Sequence, residues 1–318
     1  MVGGIRRSLS FPIPRCATLS PRHQNPLRCS SISCRFYPAV SSEIQGLWEW
    51  HAAPPPLSGS QKWIADGLGR LDALLAALAD LLFLPKAQEP LRRRRLSPWT
   101  DRLLDDFLRL ADAHGSFRAA LAELKSYQSD AQVALRRNDE PRLASAVRAQ
   151  RRAEKELIRL AAGIRDVGRS PSMAAAEEKE DSGEAAEMAG IMRKVTVAAV
   201  AASGAVMVRV VAVSRAATEA AAGGTGRQAW GTAAGWTGRQ AWVAAVLRWS
   251  ARARAMMKER EEGREREKEE EAAWRSAALD KMEKLEQCIK ALESSSERVF
   301  RTLINTRVSL LNILTPSF

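Results

Sequence analysis

Residues 279–314 read LDKMEKLEQCIKALESSSERVFRTLINTRVSLLNIL, and the spacing of their apolar members decides the fold. Met282, Leu285, Ile289, Leu292, Ser296, Val299, Leu303, Thr306, Leu310 and Ile313 step by three and four residues without a slip. On an α-helix that spacing lays all ten along one stripe. Leu279, Phe300, Ile304, Leu311 and Leu314 widen it on either side, and only Ser296 and Thr306 interrupt its apolar character. A lone helix is marginal in water, because its first turn fixes many dihedrals for one hydrogen bond. Withdrawing eight large apolar side chains from water, at about 1.5–3 kcal/mol each, outweighs that deficit. The helix therefore lies against another helix, in its own chain or a neighbour's. Leu285, Ile289, Leu292, Val299, Leu303, Leu310 and Ile313 are the candidate packing interface, closing an intramolecular bundle or mediating self-association.

Working back toward the N-terminus, the same rhythm recurs. Lys258 to Glu271 is charged at every position but Gly263, with eight acids interleaved with five bases. Opposite charges three and four residues apart support a solvated helix, here an exposed lead-in to the heptad helix. Between Gly223 and Trp242 a hexapeptide occurs twice, at Thr225–Trp230 and Thr237–Trp242. Two copies are too few for a solenoid, so the repeat reads as a duplication in a glycine-rich loop (222–238). Gly226 and Gly238 lack the lysine and following hydroxyl of a phosphate-binding loop. Trp242 and Trp249 are expected to anchor the next helix. Val195 to Val213 is apolar apart from Arg209, which approaches the length of a membrane span. Eight valines at about −0.3 kcal/mol each barely offset one arginine at up to about +2.5. A buried core helix is the better reading.

Residues 170–187 form an acidic, alanine-rich linker with Glu177, Glu178, Glu180, Asp181 and Glu184. Upstream of it, 60–168 reads as a three-helix unit. Ile64, Leu68, Leu71, Leu75, Leu78 and Leu82 mark a helix over 60–84 that Pro85 ends, with Gly67 and Gly69 weakening its first turns. A linker carrying Arg92–Arg95 follows. Ser97 and Pro98 have the chemistry of an N-cap and first helical residue, and Leu103, Phe107, Leu110, His114, Phe117, Leu121 and Leu124 continue as one face. His114 holds a core position and is expected to be a neutral, satisfied, buried histidine, with no nucleophile evident for it to activate. Asn138, Asp139 and Pro141 separate this helix from the next, which carries Leu143, Val147, Leu157, Leu160 and Ile164 to about Val167. Such short connections imply antiparallel neighbours.

Residues 1–58 read as a disordered basic arm. No acid precedes Glu43, while Arg6, Arg7, Arg15, Arg22, Arg28 and Arg35 alternate with serine and proline. That composition suits either a disordered arm or an organelle transit peptide, and the prolines favour the arm. No apolar core follows the first arginines, so a secretory signal is excluded. The net charge of +12 is spread over the arm, Arg92–Arg95 and the helix around 136–169, without the interleaved aromatics of a single-strand binder. Specific nucleic-acid binding is not expected. Cys16, Cys29, Cys34 and Cys288 lack zinc-ligand spacing and read as reduced thiols. No metal, cofactor or catalytic constellation is expected.

Several segments together resemble one plant family. Leu285-Glu286-Gln287-Cys288-Ile289, Val299-Phe300-Arg301 and Thr306-Arg307-Val308-Ser309-Leu310-Leu311-Asn312-Ile313-Leu314 are similar to the terminal motif of the BYPASS-related proteins, which contain a domain of unknown function. Arg7-Ser8-Leu9-Ser10-Phe11-Pro12, Asp80-Leu81-Leu82-Phe83-Leu84-Pro85 and Leu135-Arg136-Arg137 also fit. So do Leu110, Asp112, Gly115 and Arg118, with His114 standing where the family usually has cysteine. The resemblance implies a plant-specific, helical protein, not known as an enzyme and associated with root and shoot development.

The expectation is thus an all-α chain, an elongated antiparallel helical bundle with a C-terminal heptad (coiled-coil-like) helix and a disordered N-terminal arm. Residues 188–318 would pack with 60–168 as one bundle. Its expected role is non-enzymatic, through protein partners or self-association of the C-terminal helix. The alternative is a peripheral membrane protein using the 195–213 helix and the basic surface. An intracellular, cytoplasmic location is expected, with plastid or membrane association as the other options.

Overall fold

A computed structural model describes residues 37–54, 57–169, 183–223 and 245–315. The first 36 residues, most of the acidic linker and the duplicated hexapeptide with Trp242 lie outside them, as does the side chain of Trp249. The described residues form seven α-helices: α1 (Tyr37–Ala52), α2 (Ser60–Leu82), α3 (Pro85–Arg93), α4 (Pro98–Arg137), α5 (Glu140–Arg169), α6 (Glu184–Ala222) and α7 (Ala245–Leu314). The fold is all-α. One continuous apolar core runs from Val40 to Ile313 and takes side chains from every helix.

Two helices occupy stretches read from sequence as structureless. The basic arm, drawn as 1–58, contains α1, which buries Val40, Leu47 and Trp50. Val40, Ile44, Leu47 and Trp50 step by four, three and three, a short stripe overshadowed by the basic, proline-rich stretch before it. The linker carrying Arg92–Arg95 contains α3. Leu84 is extended and Pro85 takes the first position of α3, where its missing N–H is not needed. Proline thus ends one helix and starts another, and the 60–168 unit has four helices rather than three. α6 likewise begins at Glu184, inside the segment assigned to the linker.

Other boundaries follow local chemistry. The Ser97 hydroxyl accepts from the Trp99 backbone N–H at 3.3 Å and caps α4. At the other end Asn138 adopts a left-handed backbone, φ 56°, which asparagine tolerates better than most residues. Asp139 then accepts the Arg142 N–H at 3.1 Å, capping α5. A two-residue turn leaves α4 and α5 antiparallel neighbours.

α6 is the apolar helix of 195–213, extended at both ends to 39 residues. It is the one helix among the described residues that is long and apolar enough to cross a membrane, and two-thirds of its most apolar window is buried inside the bundle. Its many alanines let α2, α4, α5 and α7 approach closely. Residues 263–270 of α7 are exposed throughout, and burial begins with Ala278. Trp274, just before it, pins α7 to the end of α6 by donating from Nε1 to the Ala220 carbonyl at 2.7 Å.

Candidate functional site

The seven candidate interface residues share one surface, and that surface is inside the molecule. Leu285, Ile289, Leu292, Val299, Leu303, Leu310 and Ile313 are all buried, with Met282 beside them. Their helix packs mainly between α2 and α4, with α6 behind. The two polar interruptions are buried too, and each satisfies itself on its own helix. Ser296 Oγ donates to the Glu293 carbonyl at 3.1 Å and Thr306 Oγ1 to the Thr302 carbonyl at 2.8 Å. The stripe is closed within one chain. Self-association through these seven residues would require the bundle to open.

Polar contacts fix the register of this seam. Gln128 of α4 donates to the Met282 carbonyl at 2.7 Å, and Gln132 donates to Glu286 at 3.1 Å. The Glu286 carboxyl is held below its usual range, first by Lys290 and then by Gln132. On the α2 side Asp72 accepts from Thr302 at 2.9 Å and pairs with Arg298 at 3.4 Å. On the α4 side Lys125 meets Glu293 at 2.7 Å, and Arg118 pairs with Glu297 while its guanidinium sits 5.0 Å from the Phe300 ring centre. Gly115 admits that ring, since a Cβ there would lie 3.3 Å from it. Ile304, expected to widen the seam, points outward instead, with Val308 one turn on.

His114 is 1 % exposed, and its Nε2 lies 2.9 Å from Ser203 Oγ of α6. Sequence separation hid this serine. Burial lowers the imidazole pKa to about 4, so the ring is neutral at pH 7. Among the described residues Nδ1 has no hydrogen-bond partner, so the histidine is half satisfied rather than satisfied as expected, and Ser203 is itself buried. The pair reads as a core contact between α4 and α6. Cys288 is also buried, and its thiol is pushed up to about 11, far from a reactive thiolate.

A second polar cluster joins α5 to α6. Ser214 Oγ donates to Glu154 at 2.6 Å and accepts from Gln150 at 3.0 Å, while Arg215 lies 3.8 Å from the same carboxylate. Burial raises the Glu154 carboxyl, against the lowering effect of Ser214 and Arg215. The signal for these residues was present in the sequence. Gln150 and Glu154 continue the three-and-four stepping from Leu143 and Val147 to Leu157, as Gln128 continues that of α4. A polar residue on an apolar stripe marks a buried hydrogen bond. Among the described residues no three His, Cys, Asp or Glu side chains are grouped to hold a metal ion.

Together these features define an all-α bundle closed by its own C-terminal helix. The chain belongs to the BPS1 family, whose family model, described as Protein BPS1, matches residues 67–313. That span includes α4, α5, α6 and most of α2 and α7. No curated protein and no solved structure matches the chain.

Proposed function

We propose that this chain is a non-enzymatic helical protein that acts through protein partners in the control of root and shoot development. The observation that carries this reading is family membership over residues 67–313. Partners would meet the outward side of the C-terminal helix, where Ile304 and Val308 are 38 % and 47 % exposed and Leu311 is partly so. These three residues share one face by their spacing of four and three. Proximity labelling in root tissue, with the native chain and with Ile304→Glu/Val308→Glu, tests it. The charged variant should lose a defined set of labelled proteins and fail to restore root and shoot growth in a null plant. Normal growth of the null plant would end the developmental reading, and an unchanged set would remove the outward face as the contact.

A second reading, membrane association, has one observation in its favour. α6 carries an 18-residue window of mean hydropathy 2.0, a third of which lies outside the bundle interior. Carbonate extraction and salt washing of membranes from cells making the tagged protein test this. Recovery wholly in the soluble fraction at low salt eliminates it.

A further inference from the structure

α5 lies at one side of the bundle and packs chiefly against α4 and α6. Its outer side is exposed and cationic. Arg148, Arg152, Lys155 and Arg159 step by four, three and four, so they stand on one line along the helix, and all four are exposed. Arg151, also exposed, stands beside that line. At 1.5 Å per residue the line is about 17 Å long.

Few anions answer these charges. Glu156 is the one exposed carboxylate between Arg148 and Arg159, and Arg159 pairs with it at 3.2 Å. Glu154 is buried and turned toward α6, where Ser214 donates to it. Arg148, Arg152 and Lys155 form no ion pair and no side-chain hydrogen bond among the described residues. Arg148 with Arg152, and Arg151 with Lys155, are like charges four residues apart, an arrangement that weakens a helix. An external anionic surface converts that repulsion into attraction.

A large apolar side chain stands among these cations. Ile158 is 38 % exposed, and Val208 of α6 is 42 % exposed. α5 and α6 run antiparallel, since Gln150 meets Ser214 and the Ala161 carbonyl lies against Gly204. Ile158 and Val208, three and four residues from the second contact, therefore stand at about the same height on neighbouring helices. Apolar side chains set beside arginine and lysine are the composition of a helix lying in the headgroup plane of a bilayer. A nucleic-acid backbone has no partner for an exposed isoleucine, and α5 has no aromatic side chain on which a base could stack.

We infer that the outer face of α5 docks on an anionic lipid bilayer, with Arg148, Arg151, Arg152, Lys155 and Arg159 at the headgroups and Ile158 at their boundary with the acyl chains. The inference rests on the membrane reading above, and it assigns the contact to charge on α5 rather than to insertion of α6.

Flotation of the full chain with vesicles tests it, one set made of phosphatidylcholine and the other of equal parts phosphatidylcholine and phosphatidylserine. The chain should float with the mixed vesicles at about 0.1 M salt, stay in solution with phosphatidylcholine, and be released at about 1 M salt, where charges are screened. Arg148→Gln/Arg152→Gln/Lys155→Gln should lower the affinity about a hundredfold or more, the effect of three cations at such a surface. Glutamine is a good helix former and the three positions are exposed, so the native helical circular dichroism should persist. Arg92→Gln/Arg93→Gln/Arg95→Gln removes as much charge from another exposed segment and should leave most of the binding intact. Equal losses in the two triple variants would mean that overall charge holds the protein, and would overturn the inference. So would binding that the α5 variant keeps, failure to float with the mixed vesicles, or binding to a DNA duplex without binding to them. Flotation with phosphatidylcholine alone that survives high salt would overturn the α5 contact while leaving membrane association through α6 standing.

Discussion

Trp50 and Trp63 lie face to face with ring centroids 4.1 Å apart, and each indole N–H donates to the other residue's backbone carbonyl, at 2.9 and 3.3 Å. This reciprocal clasp fastens α1 to α2. The Trp50 ring lies over Gly67, where a Cβ would stand 2.1 Å from it. At Gly69, two residues on, a Cβ would meet nothing within 4 Å. The two glycines, equivalent as helix weakeners in the sequence, therefore have opposite expected effects. Gly67→Ala should destabilise by about 1–3 kcal/mol through overpacking. Gly69→Ala should stabilise by up to about 1 kcal/mol, since alanine restricts the unfolded chain and favours helix. Urea unfolding followed by circular dichroism measures both, and a shared sign would refute the role of Trp50.

Ile289 and Ile304 sit on one helix in opposite settings. Ile289→Ala should cost about 2–5 kcal/mol, the range for a buried large-to-small change that leaves a cavity. Ile304→Ala, at a position 38 % exposed, should change stability by well under half as much. Equal losses in urea unfolding would mean that the seam does not separate the two faces.

His114 makes stability depend on pH in a definite direction. Its folded pKa of about 4 lies below the ordinary 6.5, so between these values the unfolded chain binds a proton that the folded chain does not. Stability from this residue is therefore complete above about pH 6.5 and falls as pH drops toward 4, by about 3 kcal/mol in total. Glu154 opposes it: burial raises its carboxyl, so the folded state takes up a proton first as pH falls. Comparing the native chain with His114→Asn at pH 7 and pH 5 isolates the histidine. The variant should lose less stability between the two, and an identical loss would exclude a buried, neutral His114.

Amide exchange should divide α7 into two parts. Residues 264–270 are exposed on every side, whereas 282–313 contribute a buried residue every turn. Exchange into deuterated solvent should be fast in the first segment and slowest around Leu285–Leu303, because local opening there disrupts the common core. Uniformly fast exchange over both would remove the basis of the bundle.

Intrinsic preference and hydrophobic period were enough to reveal most of the helices. The stripes of α2, α4, α5 and α7 were legible because each buries one continuous face, which forces three-and-four spacing on the chain. The cap at Ser97 and the break at Asn138 and Asp139 were legible because they depend only on side chains next to their own backbone. α1 and α3 were not, since each is short: α1 buries only three large side chains and α3 spans nine residues. The periodicity also leaves open whether a stripe is covered by its own chain, as exposed and buried helices share one pattern. Only the packed chain places α7 between α2 and α4, turns Ile304 outward and joins His114 to Ser203. Those are contacts between residues far apart in sequence, and they exist because excluding water from several faces at once admits few arrangements of the helices.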